Sequence, residues 1–316
     1  MEIRYNERRH QEHIAEGRHL KLKDLTDVAQ GLENRYLSKG ILTASPQPEF
    51  RVTHLKHDTN QAGLWGIRRK KGFTNPGPSP LLWWSLVVGP EEIESAERRF
   101  LENTYPDRTE EQVGRQQSFL EKFASSPAFQ RSSRLGSYRI TLSLEEVLKA
   151  YSEQFCSGAA PSMRVLRTVL YKQEVMYVVL VHSPATTEMY SYHPLLSDVT
   201  DYVCTYKDGC FLWRPQAMSE THSYNLVQKD DEKQMEARMV CNQFYVWEHV
   251  AVALHVDDQV LNFNVNRLRE KLTFCEKGKP ILNRNRPFDN FTKAEKFVKR
   301  LWPDSPSPLE RAEDLH

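Results

Sequence analysis

The sequence predicts an α+β fold, with helices decorating a mixed or antiparallel sheet. Three observations carry that expectation. The middle of the chain alternates and is rich in aromatic and β-branched residues, the composition that suits a pleated, half-buried surface. Amphipathic spacing with capping signals recurs on both sides of that region. A chain of 316 residues that is 39% hydrophobic and 10% aromatic is globular in composition and long enough for a substantial core.

The elements follow in order. Residues 1–22 open on "MEIRYNERRHQEH", charged at once and without the apolar core of a signal peptide; they are expected to form a solvated arm. A single domain is expected over residues 23–302. In "LKDLTDVAQGLENRYL", Leu25, Val28, Ala29, Leu32, Tyr36 and Leu37 stand near helical spacing. Pro46 and Pro48 mark a loop before "FRVTHLKHDT", which alternates like a strand. After the turn-rich "TNPGPSP", the bulky run "LLWWSLVV" suits a buried strand ended by Gly89-Pro90.

A helical insertion is expected over about residues 91–156. "EEIESAERRFLE" puts acidic residues in its first turn, where the helix dipole favours them. Thr109 with Gln112, Ser143 with Glu146, and Thr292 with Glu295 all have capping-box spacing. "MRVLRTVLYKQEVMYVVLVH" reads as a hairpin turning at Lys172-Gln173, and "GCFLWRP" and "QFYVWEHVAVALHV" add strands. "NRLREKLTFCE" and "KAEKFVKRLW" return to helix, and residues 303–316 are expected to be a tail.

Lys plus Arg number 43 against 42 for Asp plus Glu, a net charge of +1. That balance excludes a surface built wholly for nucleic acid or anionic membrane, so such binding must come from a local patch. No stretch approaches the ~18–20 apolar residues that cross a bilayer, and no membrane partner is expected. The five cysteines are odd in number and form no Cys-x-x-Cys pair, which points to a reducing compartment, cytoplasmic or nuclear or both. No metal is expected. His249 and His255 would lie roughly 20 Å apart on a strand, too far to share an ion.

The most patterned stretch is "HDTNQAGLWGIRRKKGF", from His57 to Phe73. His57-x-Thr59, an amphipathic turn and Gly72-Phe73 together resemble the opening of the ADP-ribosyltransferase fold of the poly(ADP-ribose) polymerase type. That family opens with His-Gly-Thr on a strand and a short helix ending in Gly-Phe. It continues with a tyrosine-bearing second strand and a late strand headed by Asn-Glu-Tyr before valines. Here "LLWWSL" stands in the second place and "NQFYVWEHVAV" (Asn242 to Val252) in the last. The resemblance implies a split antiparallel or mixed sheet with peripheral helices, with a core over about residues 50–260.

It also implies NAD as substrate. His57 would bond the ribose nearest the adenine, the Asp58 backbone would pair with the nicotinamide amide, and Thr59 completes the motif. Trp84 would stack on the nicotinamide ring, and Gln243 stands at the catalytic glutamate's position. Two departures bear on activity. Asp58 replaces the glycine, and Gln243 lacks the charge that would stabilise the cation-like sugar. The implied activity is transfer of a single ADP-ribose to a protein or nucleic acid. A catalytically inactive pseudo-transferase that binds protein or RNA is the competing expectation.

Plainer readings stand beside these. His57 can be a polar strand end, Trp83 and Trp84 core aromatics, and Gln243 an edge residue. The basic run Arg68, Arg69, Lys70 and Lys71 fits a nuclear signal, a phosphate-contacting patch for RNA or DNA, or a solvated turn. Were it to meet the second small basic spot, "NRNRP" at Asn283 to Pro287, beside an exposed Trp65 or Tyr245, single-stranded nucleic acid could stack and pair there.

Overall fold

The computed structural model describes residues 1–6, 9–28, 47–75, 77–171, 174–196, 202–216, 223–240, 247–278 and 288–312. The chain is mixed α+β, organised by one large mixed sheet.

The charged N-terminal stretch departs from the expected arm. It forms β1 (Glu2–Tyr5) and β2 (Gln11–Glu16), an antiparallel pair. Pairing with β8 explains this: His13, Ile14 and Ala15 of β2 are buried against it, while Arg4 of β1 reaches Glu16 at 2.7 Å on the surface. Next come α1 (Leu22–Val28), β3 (Phe50–Val52) and β4 (His54–Thr59). Then follow α2 (Gln61–Lys70), β5 (Gly72–Phe73), β6 (Leu81–Val87) and α3 (Pro90–Thr104).

The expected Thr109 capping box is formed at α4 (Glu110–Arg115), and the Ser143 hydroxyl caps α5 (Leu144–Phe155) after β7 (Tyr138–Ser143). The expected hairpin is β8 (Ser162–Tyr171) against β9 (Glu174–His182). Two small hairpins follow: β10 (Cys204–Lys207) with β11 (Cys210–Trp213), and β12 (Ser223–Gln228) with β13 (Met235–Val240).

The chain re-enters the large sheet at β14 (Trp247–His255), then makes β15 (Leu261–Asn262) and α6 (Val265–Glu270). Leu272–Phe274, expected as helix, is strand β16, with all three residues buried. Helix α7 (Phe291–Leu301) is capped by Asn290 rather than by Thr292, since the Asn290 carboxamide accepts the Lys293 N–H at 2.9 Å. The expected tail is partly docked: β17 (Glu310–Arg311) pairs parallel with β16, and Leu309 and Ala312 are buried beside it.

The large sheet runs β1-β2-β8-β9-β14-β6-β4-β7-β16-β17. Neighbours are antiparallel except β9 with β14 and β16 with β17. Period-two alternation assigns its two faces. Leu55, Leu82, Trp84, Leu86, Ile140, Leu142, Val250, Val252 and Leu254 belong to the main core, which also takes in buried residues of α2, α3, α5 and α7. Ala251, Ala253, Val178 and Leu180 face the other way, into a smaller cluster closed by Tyr190. No described helix is long and apolar enough to cross a membrane. Cys156, Cys204, Cys210 and Cys275 are free and buried.

Candidate functional site

Strand β4 sits between β6 and β7, and alternation sends its successive side chains to opposite faces. Leu55 and His57 enter the main core face, whereas Lys56 and Asp58 project from the other. The His57-Asp58 pair of the sequence motif is therefore divided between two environments.

On the core face, His57 meets Phe73 and Trp84 edge-on, with ring centroids 5.0 and 5.5 Å away. Phe73 and Trp84 pack on each other at 4.7 Å. The His57 Nδ1–H donates to the Trp83 carbonyl at 2.9 Å, because a carbonyl can only accept. Burial lowers the imidazole pKa, with the Trp83 carbonyl and Asp58 working against it, so His57 is neutral at pH 7. The β4–β6 ladder ends at Lys56 opposite Ser85; beyond that point the imidazole itself bridges the two strands.

On the other face, Asp58 and Arg139 form a buried, two-bond ion pair, Nε to Oδ1 at 2.7 Å and Nη2 to Oδ2 at 2.8 Å. Arg139 also donates to the carbonyls of Gln130, Arg131 and Ser132, each at 3.1 Å. Lys56 donates to the carbonyls of Pro127 and Gln130. These contacts pin the segment 126–134 across the sheet. Burial alone would raise the Asp58 pKa, but the charge and hydrogen bonds of Arg139 prevail and hold it at about 2. Burial, with Arg139 nearby, brings the Lys56 ammonium down to about 7.

Thr59 ends β4 inside a backbone crossing. A Cβ on Gly63 would stand 1.9 Å from its Oγ1, and one on Gly136 would stand 2.1 Å from its carbonyl oxygen.

The residues brought together are thus His57, Trp84 and Phe73. Trp84 is 1% exposed and presents no open ring face to a nicotinamide, and the Asp58 side chain, though not its backbone, is committed to Arg139. Gln243, together with Asn242, lies outside the described residues. His249 and His255 stand on β14, and each has its own carboxylate, Glu174 at 3.4 Å and Asp257 at 3.1 Å. Among the described residues, no three of His, Cys, Asp and Glu are placed to hold a metal ion.

The basic run ends α2. Arg68 donates to the Leu301 carbonyl at 3.1 Å and lies over the Trp302 ring, joining α2 to the end of α7. Arg69 stacks on Trp65 at 4.5 Å from the ring centroid. Lys71 takes a left-handed conformation, φ 57°, as the C-cap.

Two sets of residues were not singled out from the sequence. Arg139 carried a signal, being the one cation in the alternating "YRITLS". Lys293, Lys296 and Arg300 carried another, their three- and four-residue spacing placing them on one helix face. Comparison with known proteins finds no matching family model, no matching curated protein and no matching solved structure.

Proposed function

We propose that the chain is a non-catalytic binding module on an ADP-ribosyltransferase-like scaffold, a pseudo-transferase that engages a macromolecular partner through its surface. One observation carries this reading: the place where a nicotinamide would stack is filled by the protein's own Phe73–Trp84–His57 packing. Asp58 adds to it. Its carboxylate stands where the related motif has a glycine, and its charge is spent on fastening segment 126–134 through Arg139.

The second reading, single ADP-ribose transfer from NAD, is favoured by the early end of the β4–β6 ladder, which leaves the β4 backbone beyond Lys56 without a β6 partner. Melting the purified protein with and without millimolar NAD separates the two, since a ligand bound only to the native state raises the melting temperature. The binding-module reading expects no shift and no label transferred from tagged NAD. A clear upward shift, or transfer of label, would reverse the choice.

A further inference from the structure

The basic residues of the α2 end are not an isolated run. Arg68 ties the last turn of α2 to the last turn of α7. Along the exposed side of α7, Lys293, Lys296, Lys299 and Arg300 line a groove of about 850 Å³ with Asn290, Thr292 and Pro303. Lys293 is engaged by Asp289 at 2.6 Å. Among the described residues, no carboxylate pairs with Arg69, Lys70, Lys71, Lys296, Lys299 or Arg300. In a chain whose net charge is only +1, these are two concentrations of positive charge on helices joined end to end by Arg68.

The second property is an exposed aromatic. Trp65 is 48% exposed, one face covered by the Arg69 guanidinium. No other large exposed apolar side chain lies on α2 or α7, so the face lacks the apolar patch a bilayer surface would want. An isolated indole among cations matches a strand that carries both phosphates and unpaired bases. Every base has a π-face to stack, and the backbone charge is met by Lys and Arg. On α7, Lys296 and Arg300 follow one another at a rise of ~6 Å, so neighbouring phosphates of an extended strand each find a cation. A duplex would hide its bases from Trp65.

We propose that the face shared by α2 and α7 binds single-stranded nucleic acid. Trp65 is the stacking platform, and Arg69, Lys296, Lys299 and Arg300 are the phosphate contacts. The proposal rests on the binding-module reading and supplies its partner.

The test is fluorescence anisotropy of the full chain with a labelled single-stranded oligomer of about a dozen nucleotides, ribo- and deoxyribo-forms in separate arms, against the same sequence as a duplex. Binding of either single strand, weakening as salt rises, is expected. Lys296→Gln with Lys299→Gln should reduce the steepness of the log K against log salt plot by about 1.4. Trp65→Ala should weaken binding about tenfold and leave that slope unchanged. Both variants alter exposed side chains, and unchanged melting temperatures verify the fold. Absence of binding at low salt, equal or tighter binding of duplex, or an unaltered affinity in Trp65→Ala would overturn the proposal. The NAD melting experiment reads separately: a shift there with intact oligomer binding removes the non-catalytic reading and leaves this one standing.

Discussion

Asp58 is the residue at which the sequence motif and the structure diverge most. A carboxylate beside His57 reads in sequence as a disturbance of a ligand site, yet its side chain belongs to the opposite face and to Arg139. With Asp58 and Arg139 almost fully buried, removing one partner strands a charge. Asp58→Ala is expected to cost ~3–5 kcal/mol, whereas replacing both residues by leucine should recover most of it. Urea unfolding of the two variants measures both. The pH sign follows from the depressed pKa. The pair's stabilisation is complete above the unfolded value of 3.8 and is lost as pH falls towards about 2. Arg139 could be found in sequence only as an odd charge in a strand, because its partner lies 81 residues earlier.

The α2 element was the more legible one. The amphipathic run closed by Gly72-Phe73 was read from the sequence, whereas its N-cap, Asn60, emerged with the structure. The Asn60 side chain accepts the Gly63 N–H at 3.0 Å, so Asn60→Ala should lose ~1 kcal/mol, the usual worth of an N-cap. Gly72 serves a different purpose from the one its place after a helix suggests. Lys71 takes the left-handed position, and Gly72 allows close approach, since a Cβ there would stand 2.2 Å from the Leu261 carbonyl oxygen. Gly72→Ala must push β5 from β15 and displace Phe73, so it should cost ~1–3 kcal/mol, clearly more than the cap. Equilibrium unfolding of the two variants side by side checks the ranking. The elements misread from sequence, β1, β2 and β16, are short segments without an alternating pattern, set among charges or beside a helix. Pairing with the distant strands β8 and β7 decides β2 and β16, and β1 follows by pairing with β2.

For the molecule as a whole, the strongest pH response should come from its histidines. Burial first of all lowers the pKa of His13, His19, His54, His57, His182 and His193 below the ordinary 6.5, with His19 brought to about 4 beside Tyr177 and Tyr202. His182 cannot take a proton on Nε2 without losing the Arg164 hydrogen bond at 2.9 Å. The native state therefore binds fewer protons than the unfolded chain between pH 6.5 and about 4, and stability falls as pH drops through that window. Urea midpoints should decline from pH 7 to pH 5, and His19→Phe should flatten the decline; equal slopes in the two proteins would refute the assignment.

The sequence by itself determined the α+β class, the hairpin of β8 with β9, and the helices with their caps at Thr109 and Ser143. Each depends on interactions within a few residues or on a strand's period. Only the tertiary structure decided that Asp58 is an anchor, that Trp84 is enclosed, and that Arg68 joins the end of α2 to the end of α7. Those facts depend on which residues remote in sequence the core brings into contact, and side-chain burial and charge pairing are set there rather than along the chain.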